Sequence, residues 1–330
     1  MRICIYGAGA VGGHLAAKLA RAGNEVSVVA RGANLAAIKA RGFRLVHGSE
    51  EIAGKVAASE KPADLGPQDL VITTLKANAL SAFAKDGKGL LKGDTAVVFA
   101  QNGIPWWYGV GLSPSRPQPP DMSRLDPGGL LRKAIAPERI IGAVIYSAND
   151  LVEPGVVMNH TPGNNMLVVG DCDDRNSPQV ERLRVILEKA GMSSPPTADI
   201  RQVVWSKLVL NIGTGTLCLL TGATVAEVRG DPATARIGEQ VMAEARAIAR
   251  AHGVDSTAAP KRPGGGHSSG QIAHKPSILQ DYERGRPMEI EAQLATPLAF
   301  ARQANLATLA LDVLIPLAVH KAAAKGLYRT

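Results

Sequence analysis

Along the first half of the chain, short apolar runs alternate with stretches in which apolar positions recur every three or four residues, as in a parallel sheet covered by helices. The runs Arg2 to Tyr6, Glu25 to Ala30, Asp69 to Leu75, Thr95 to Ala100 and Ile140 to Tyr146 predict strands. Val11 to Ala22 has helical spacing, and Gly23 behind it suits a left-handed cap. Val156 to Met158 and Met166 to Val169 flank the turn-rich segment 160–165 and predict antiparallel strands closing the sheet. Ser177 opens a further helix that ends at Gly191. Past Ser193-Ser194-Pro195-Pro196-Thr197 strand signals stop and only helical patterns follow. Asp199 heads a helix through Trp205 and Asn211, Asp231-Pro232 begin one that stops at His252-Gly253, and Pro287 opens another. The pattern therefore predicts an α/β fold in two parts: a doubly wound, Rossmann-type domain over 1–196 and an all-α domain over 197–330. Gly109 to Gly129, rich in Pro, Gly and Ser, reads as a long surface insertion, and Pro260 to Gly270 as a flexible glycine-rich loop.

Gly7-Ala8-Gly9-Ala10-Val11-Gly12 matches G-x-G-x-x-G, directly after a strand and directly before a helix. In that setting the first glycine permits a tight turn, the second lets backbone amides approach a pyrophosphate, and the third lets helix and strand pack closely. The motif predicts dinucleotide binding by residues 7 to 12. Enzymes preferring NAD carry a carboxylate at the end of the second strand; this chain has Arg31, 19 positions beyond Gly12, whose guanidinium suits a 2′-phosphate. NADP is the expected cofactor. Lys76 follows the strand ending at Leu75, at a carboxyl end where open α/β sheets bind ligands, and is expected to meet phosphate or nicotinamide.

Composition narrows the class. With 45% apolar and 20% charged residues the chain reads as an ordinary globular protein. The net charge of +8 comes from scattered Lys and Arg, and aromatics are only 4%, which argues against a nucleic-acid groove and suits small anionic ligands. The apolar stretch Leu306 to Val319 is broken by Asp312 and Pro316 and is too short to span a bilayer. The opening residues carry no signal-peptide zones, and Cys4, Cys172 and Cys218 form no disulfide or metal pattern, so a cytoplasmic protein without a metal site is expected.

Taken with Thr74-Leu75-Lys76, Gln101-Asn102-Gly103, Trp205-Ser206-Lys207-Leu208-Val209-Leu210-Asn211, and Lys275-Pro276-Ser277-Ile278-Leu279-Gln280-Asp281 followed by Glu289-Ile290-Glu291, the glycine loop and Arg31 give a chain that resembles the ketopantoate reductase family over nearly its whole length. The resemblance implies NADPH-dependent reduction of a 2-oxo acid, with Lys207 as catalytic acid, Glu289, Ser277, Asn211 and Asn102 around the substrate, and Asn102 also beside nicotinamide. The chemistry agrees: hydride addition to a ketone leaves negative charge on oxygen, which an ammonium stabilises and protonates. Lys207 and Asn211, four apart, share a helical face and are expected to point into one interdomain cleft. Ser277-Ile278-Leu279-Gln280 also reads as a capping box, and Trp106 and Trp107 as either a pocket wall or packing.

The match has gaps. Gly215, Val225 and Leu294 stand where the family carries asparagines, which removes polar contacts expected around the substrate and favours a more apolar 2-oxo acid. A β-hydroxyacid dehydrogenase and an NADP-binding sensor without turnover are the competing readings; the Lys275 to Glu291 block argues against the first. A homodimer through the helical domain is compatible with the sequence.

Overall fold

The computed structural model describes residues 1–261 and 275–329; most of the glycine-rich stretch 260–270 lies outside them. The chain divides into two compact units. The first contains residues 1–101 and 126–200, the second 102–125, 201–259 and the described residues from 275 onward.

The first unit is built on a seven-stranded sheet in the order β11-β8-β7-β6-β1-β2-β5. The strands are β1 (Arg2–Tyr6), β2 (Glu25–Val29), β5 (Ala57–Ser59), β6 (Leu70–Thr73), β7 (Ala96–Ala100), β8 (Ile140–Tyr146) and β11 (Met166–Asp171). All neighbours are parallel except β11, which runs antiparallel to β8 with Met166 opposite Tyr146. The chain moves outward through β1, β2 and β5, then returns to the other side of β1 at β6, so the order reverses between β1 and β6. The central strands are buried on both faces, which explains their unbroken apolar runs. Helix α1 (Ala10–Arg21) follows the glycine loop, and Gly23 closes it at φ +83°. Helices α2 (Gly32–Arg41), α3 (Leu80–Asp86), α4 (Leu130–Ala134) and α5 (Pro178–Lys189) complete the unit; Ser177 caps α5 through Val180 N.

A second sheet, in the order β4-β3-β10-β9, corrects the expectation that the strands around 156–169 pair with each other. It consists of β3 (Phe43–His47), β4 (Glu50–Gly54), β9 (Asn149–Glu153) and β10 (Val156–Asn159). β10 pairs parallel with β3 and antiparallel with β9, while β11 belongs to the main sheet. Helix α1 packs on this sheet through Gly13, where a Cβ would fall 2.6 Å from Val157 and 2.8 Å from Phe43.

The second unit is helical. It contains α6 (Ile200–Leu210, whose first residue belongs to the first unit), α7 (Thr216–Thr221), α8 (Val225–Gly230), α9 (Pro232–Ala251), α10 (Ser277–Glu283), α11 (Thr296–Gln303) and α12 (Leu309–Ala324). Asp231 caps α9, whose end at His252 agrees with the sequence. The run Ile200–Thr221 has the length and mean hydropathy (1.5) to cross a membrane, but 67% of its most apolar window is buried. The stretch 109–129, expected as a surface insertion, is largely exposed, but it is divided: 102–125 group with the second unit and 126–129 with the first, and just ahead of it Trp106, Trp107 and Tyr108 are each 1% exposed. Arg201, fully buried, holds them by donating from Nε to Tyr108 O at 2.9 Å and from Nη2 to Val110 O at 3.0 Å. Trp205 Nε1 donates to Tyr108 Oη at 2.9 Å, and both rings meet Phe300 edge-on. The two tryptophans are therefore core, not an open pocket wall.

Candidate active site

In the first unit, the turn from β1 into α1 places Gly7 at φ +117°, a conformation glycine adopts without penalty. A Cβ on Gly12 would lie 1.9 Å from Gly7 O, so helix and loop touch through bare backbone. A Cβ on Gly9 would meet nothing within 4 Å. That clearance, at the amino end of α1, leaves room for an anionic group to reach backbone amides. Two residues brace the loop. Thr74 Oγ1 donates to Gly7 O at 2.8 Å, which gives the Thr74-Leu75-Lys76 motif a structural job. Asn34 Nδ2 donates to Ala8 O while its Oδ1 accepts from Gly155 N at 2.7 Å; nothing in the sequence singled Asn34 out.

Arg31 occupies the position just before the first residue of α2, its side chain 60% exposed and making no capping bond, and its guanidinium lies 3.9 Å from Asp86. At that exposure the pair contributes little energy and leaves Arg31 open to a stronger anion. Burial, reinforced by Asp86, raises the Tyr6 phenol above its ordinary value. Lys76 is half-buried just before the short 3₁₀ turn Ala77–Ala79.

In the second unit, three residues far apart in sequence meet. Lys207 Nζ, on α6, donates to Asn102 Oδ1 at 2.8 Å, and Asn102 Nδ2 donates to Glu289 Oε2 at 3.4 Å. Gly103 makes this possible: at φ +79°, its Cβ would lie 2.4 Å from Ala292 O, and Ile104 N donates to that same oxygen at 2.8 Å. Glu289 is 6% exposed; Lys207 and Asn102 are half-buried. A π turn adjoins each side of the site, Asn211–Gly215 directly after Lys207's helix and Glu291–Ala295 just beyond Glu289. Such turns insert one residue and redirect side chains, and they recur at functional sites. Asn211 opens the first π turn, half-buried, one turn after Lys207.

Residues 3–106 match the family Ketopantoate reductase PanE/ApbA, and residues 199–322 match its C-terminal counterpart. A 2-dehydropantoate 2-reductase from Mesorhizobium japonicum is 39% identical, the match covering 99% of this chain and all of the relative. This chain belongs to the ketopantoate reductase family. The family is one of oxidoreductases acting on CH–OH groups, and the mixed α/β sheet with a helical second unit is its fold. Among solved structures, the 2-dehydropantoate 2-reductase of Geobacter metallireducens is 26% identical with a TM-score of 0.79, covering 96% of this chain and 99% of that one. A D-mandelate dehydrogenase solved with NADH and anilino(oxo)acetate shares the fold at 20% identity, with a TM-score of 0.81 and 99% and 100% coverage.

Other site expectations need correction. Ser277 is the first residue of α10, exposed, with Pro276 in the capping position, so no capping box forms; Gln280 Nε2 instead donates to Lys275 O at 2.9 Å. The helix expected from Pro287 starts at Ile290, and Glu289 precedes its first turn, its carbonyl accepting from Gln293 N at 3.0 Å. At the three positions where the resemblance led to asparagine being expected, this ketopantoate reductase family member has buried residues: Val225 packs with Leu217, Cys218, Val228 and Leu279, Leu294 is 1% exposed, and Gly215 has Ile278 where its Cβ would be in contact. Val225 is thus part of the hydrophobic core. Among the described residues no group of three His, Cys, Asp or Glu gathers as for a metal.

Proposed function

We propose that the protein reduces 2-dehydropantoate to pantoate with NADPH, in the cytoplasm. The observation that carries this reading is the chain of contacts from Lys207 through Asn102 to Glu289. The bound cofactor would supply a hydride to C2 of the 2-oxo acid. Residues Gly7 to Gly12 would hold its pyrophosphate, Arg31 its 2′-phosphate, and Lys76 and Asn102 its nicotinamide half. Lys207 donates a proton from Nζ to the C2 oxygen as negative charge develops there, and its positive charge stabilises that oxygen beforehand. Asn102 aims the ammonium, because its carbonyl oxygen already accepts from Nζ. Glu289, Asn211 and Ser277 bind the substrate. The same proposal includes a homodimer formed through the second unit.

A second reading has its own support. With Gly215, Val225 and Leu294 buried where the family has asparagines, a 2-oxo acid with an apolar side chain is the alternative substrate. Oxidation of NADPH followed at 340 nm, against 2-dehydropantoate and a panel of apolar 2-oxo acids, separates the two by kcat/KM. Lys207→Ala should lower kcat by about 10²–10⁴-fold and leave NADPH affinity nearly unchanged. Unaltered turnover in that variant removes the assignment of Lys207, and a preference for NADH removes that of Arg31.

A further inference from the structure

The residues on either side of Glu289 are held by parts of the chain that the reaction does not use. The amide of Met288 donates to Leu327 O at 2.9 Å. Two positions after Glu289, the Glu291 carboxylate accepts from the Tyr328 phenol and from Arg124 Nε at 2.8 Å, with Thr296 Oγ1 at 3.4 Å from its other oxygen. Arg124 Nη2 also donates to Tyr328 Oη at 3.2 Å and to Arg329 O at 2.7 Å, and its guanidinium lies 5.7 Å from the centre of the Tyr328 ring. The segment 102–125 therefore grips the start of the π turn Glu291–Ala295 twice, through Ile104 on Ala292 and through Arg124 on Glu291.

We propose that Arg124, Glu291 and Tyr328 are positioning residues that clamp the π turn and so set where the Glu289 carboxylate meets the 2-oxo acid; this rests on Glu289 binding substrate, as read above. Stability alone does not account for the arrangement. Arg124 is 52% exposed, and ion pairs at such exposure contribute little to folding. What the contacts do fix is direction, since a π turn leaves the side chains around it without the regular spacing of an α-helix. Burial and the Glu291 carboxylate push the Tyr328 phenol up to about 12, so it remains a donor throughout the working pH range.

The test is steady-state kinetics of Tyr328→Phe, Arg124→Lys, Glu289→Gln and the Tyr328→Phe/Glu289→Gln pair on the best-reduced 2-oxo acid, each with a melting temperature. Tyr328→Phe should raise KM about fivefold or more at nearly constant kcat, NADPH affinity and melting temperature. In the Glu289→Gln background the same change should add nothing, which places its effect on Glu289. A raised KM for Glu289→Gln with none for Tyr328→Phe and Arg124→Lys overturns the clamp and leaves the substrate reading intact, as does a lowered melting temperature without a KM change. An unchanged KM in Glu289→Gln overturns the role of Glu289 itself, and the clamp with it.

Discussion

At Asn102 the side-chain amide can face only one way. Its oxygen takes a proton donor from Lys207 and its nitrogen gives one to Glu289, so reversing it would set ammonium against amide N–H and carboxylate against oxygen. His14 is the opposite case, a side chain with no partner. It is fully buried on α1, neither ring nitrogen is hydrogen-bonded, and burial, assisted by Lys18 and His47, pulls its pKa down to about 3. The folded chain thus keeps the imidazole neutral, while the unfolded chain takes up a proton near 6.5. The contribution to stability is complete above 6.5 and is lost progressively as pH falls toward 3. In urea unfolding from pH 7.5 to 4, His14→Leu should show a shallower loss of stability than the parent, the difference approaching one proton; identical slopes would refute the account. Single residues were partly legible in the sequence. Arg31 and the six loop positions stand next to one another or at a fixed distance, so spacing was enough to single them out as candidates. Tyr328 and Arg124, 204 positions apart, announce nothing until the chain is folded.

Elements divided along similar lines. The central parallel strands were readable because burial on both faces gives unbroken apolar runs, whereas the edge strand β5, in which only Ser59 is buried, was not. The second sheet was not: β4 buries only Ile52, and β3 finds β10 more than a hundred residues later, with Val46 opposite Met158. Nor do the π turns leave a mark, because one residue added to a helical turn alters neither composition nor apolar content. Their consequence is concentrated at Gly103, where a loop and a π turn share one oxygen. Gly103→Ala should cost about 1–3 kcal/mol from crowding against Ala292 and a further ~1–2 kcal/mol for the left-handed backbone. Because Asn102 is its neighbour, kcat should fall more than stability predicts. A variant with parental melting temperature and kcat would show that the loop has slack there.

For the molecule as a whole, the exposed apolar surface is unevenly placed. Leu309, Val313 and Leu317 are 76%, 59% and 52% exposed and recur every four residues along α12, forming one stripe. The proposed homodimer would cover it. Sedimentation should then give twice the chain mass of 34.4 kDa for the parent and the single mass for Val313→Glu/Leu317→Lys; a monomeric parent would leave the stripe without that role. The two-part plan was legible in the sequence because strand signals cease near residue 197. The traffic between the parts was not, since residues 102–125 lie between two strands of the first unit and yet group with the second. That interleaving has a consequence for biosynthesis. Tyr108 leaves the ribosome 93 residues ahead of the arginine that will satisfy its carbonyl, which at ordinary translation speeds is about 5–20 s. Throughout that interval the nascent chain carries two tryptophans and a tyrosine whose buttressing arginine has not yet been made, so this loop stays open to solvent or to a chaperone until then.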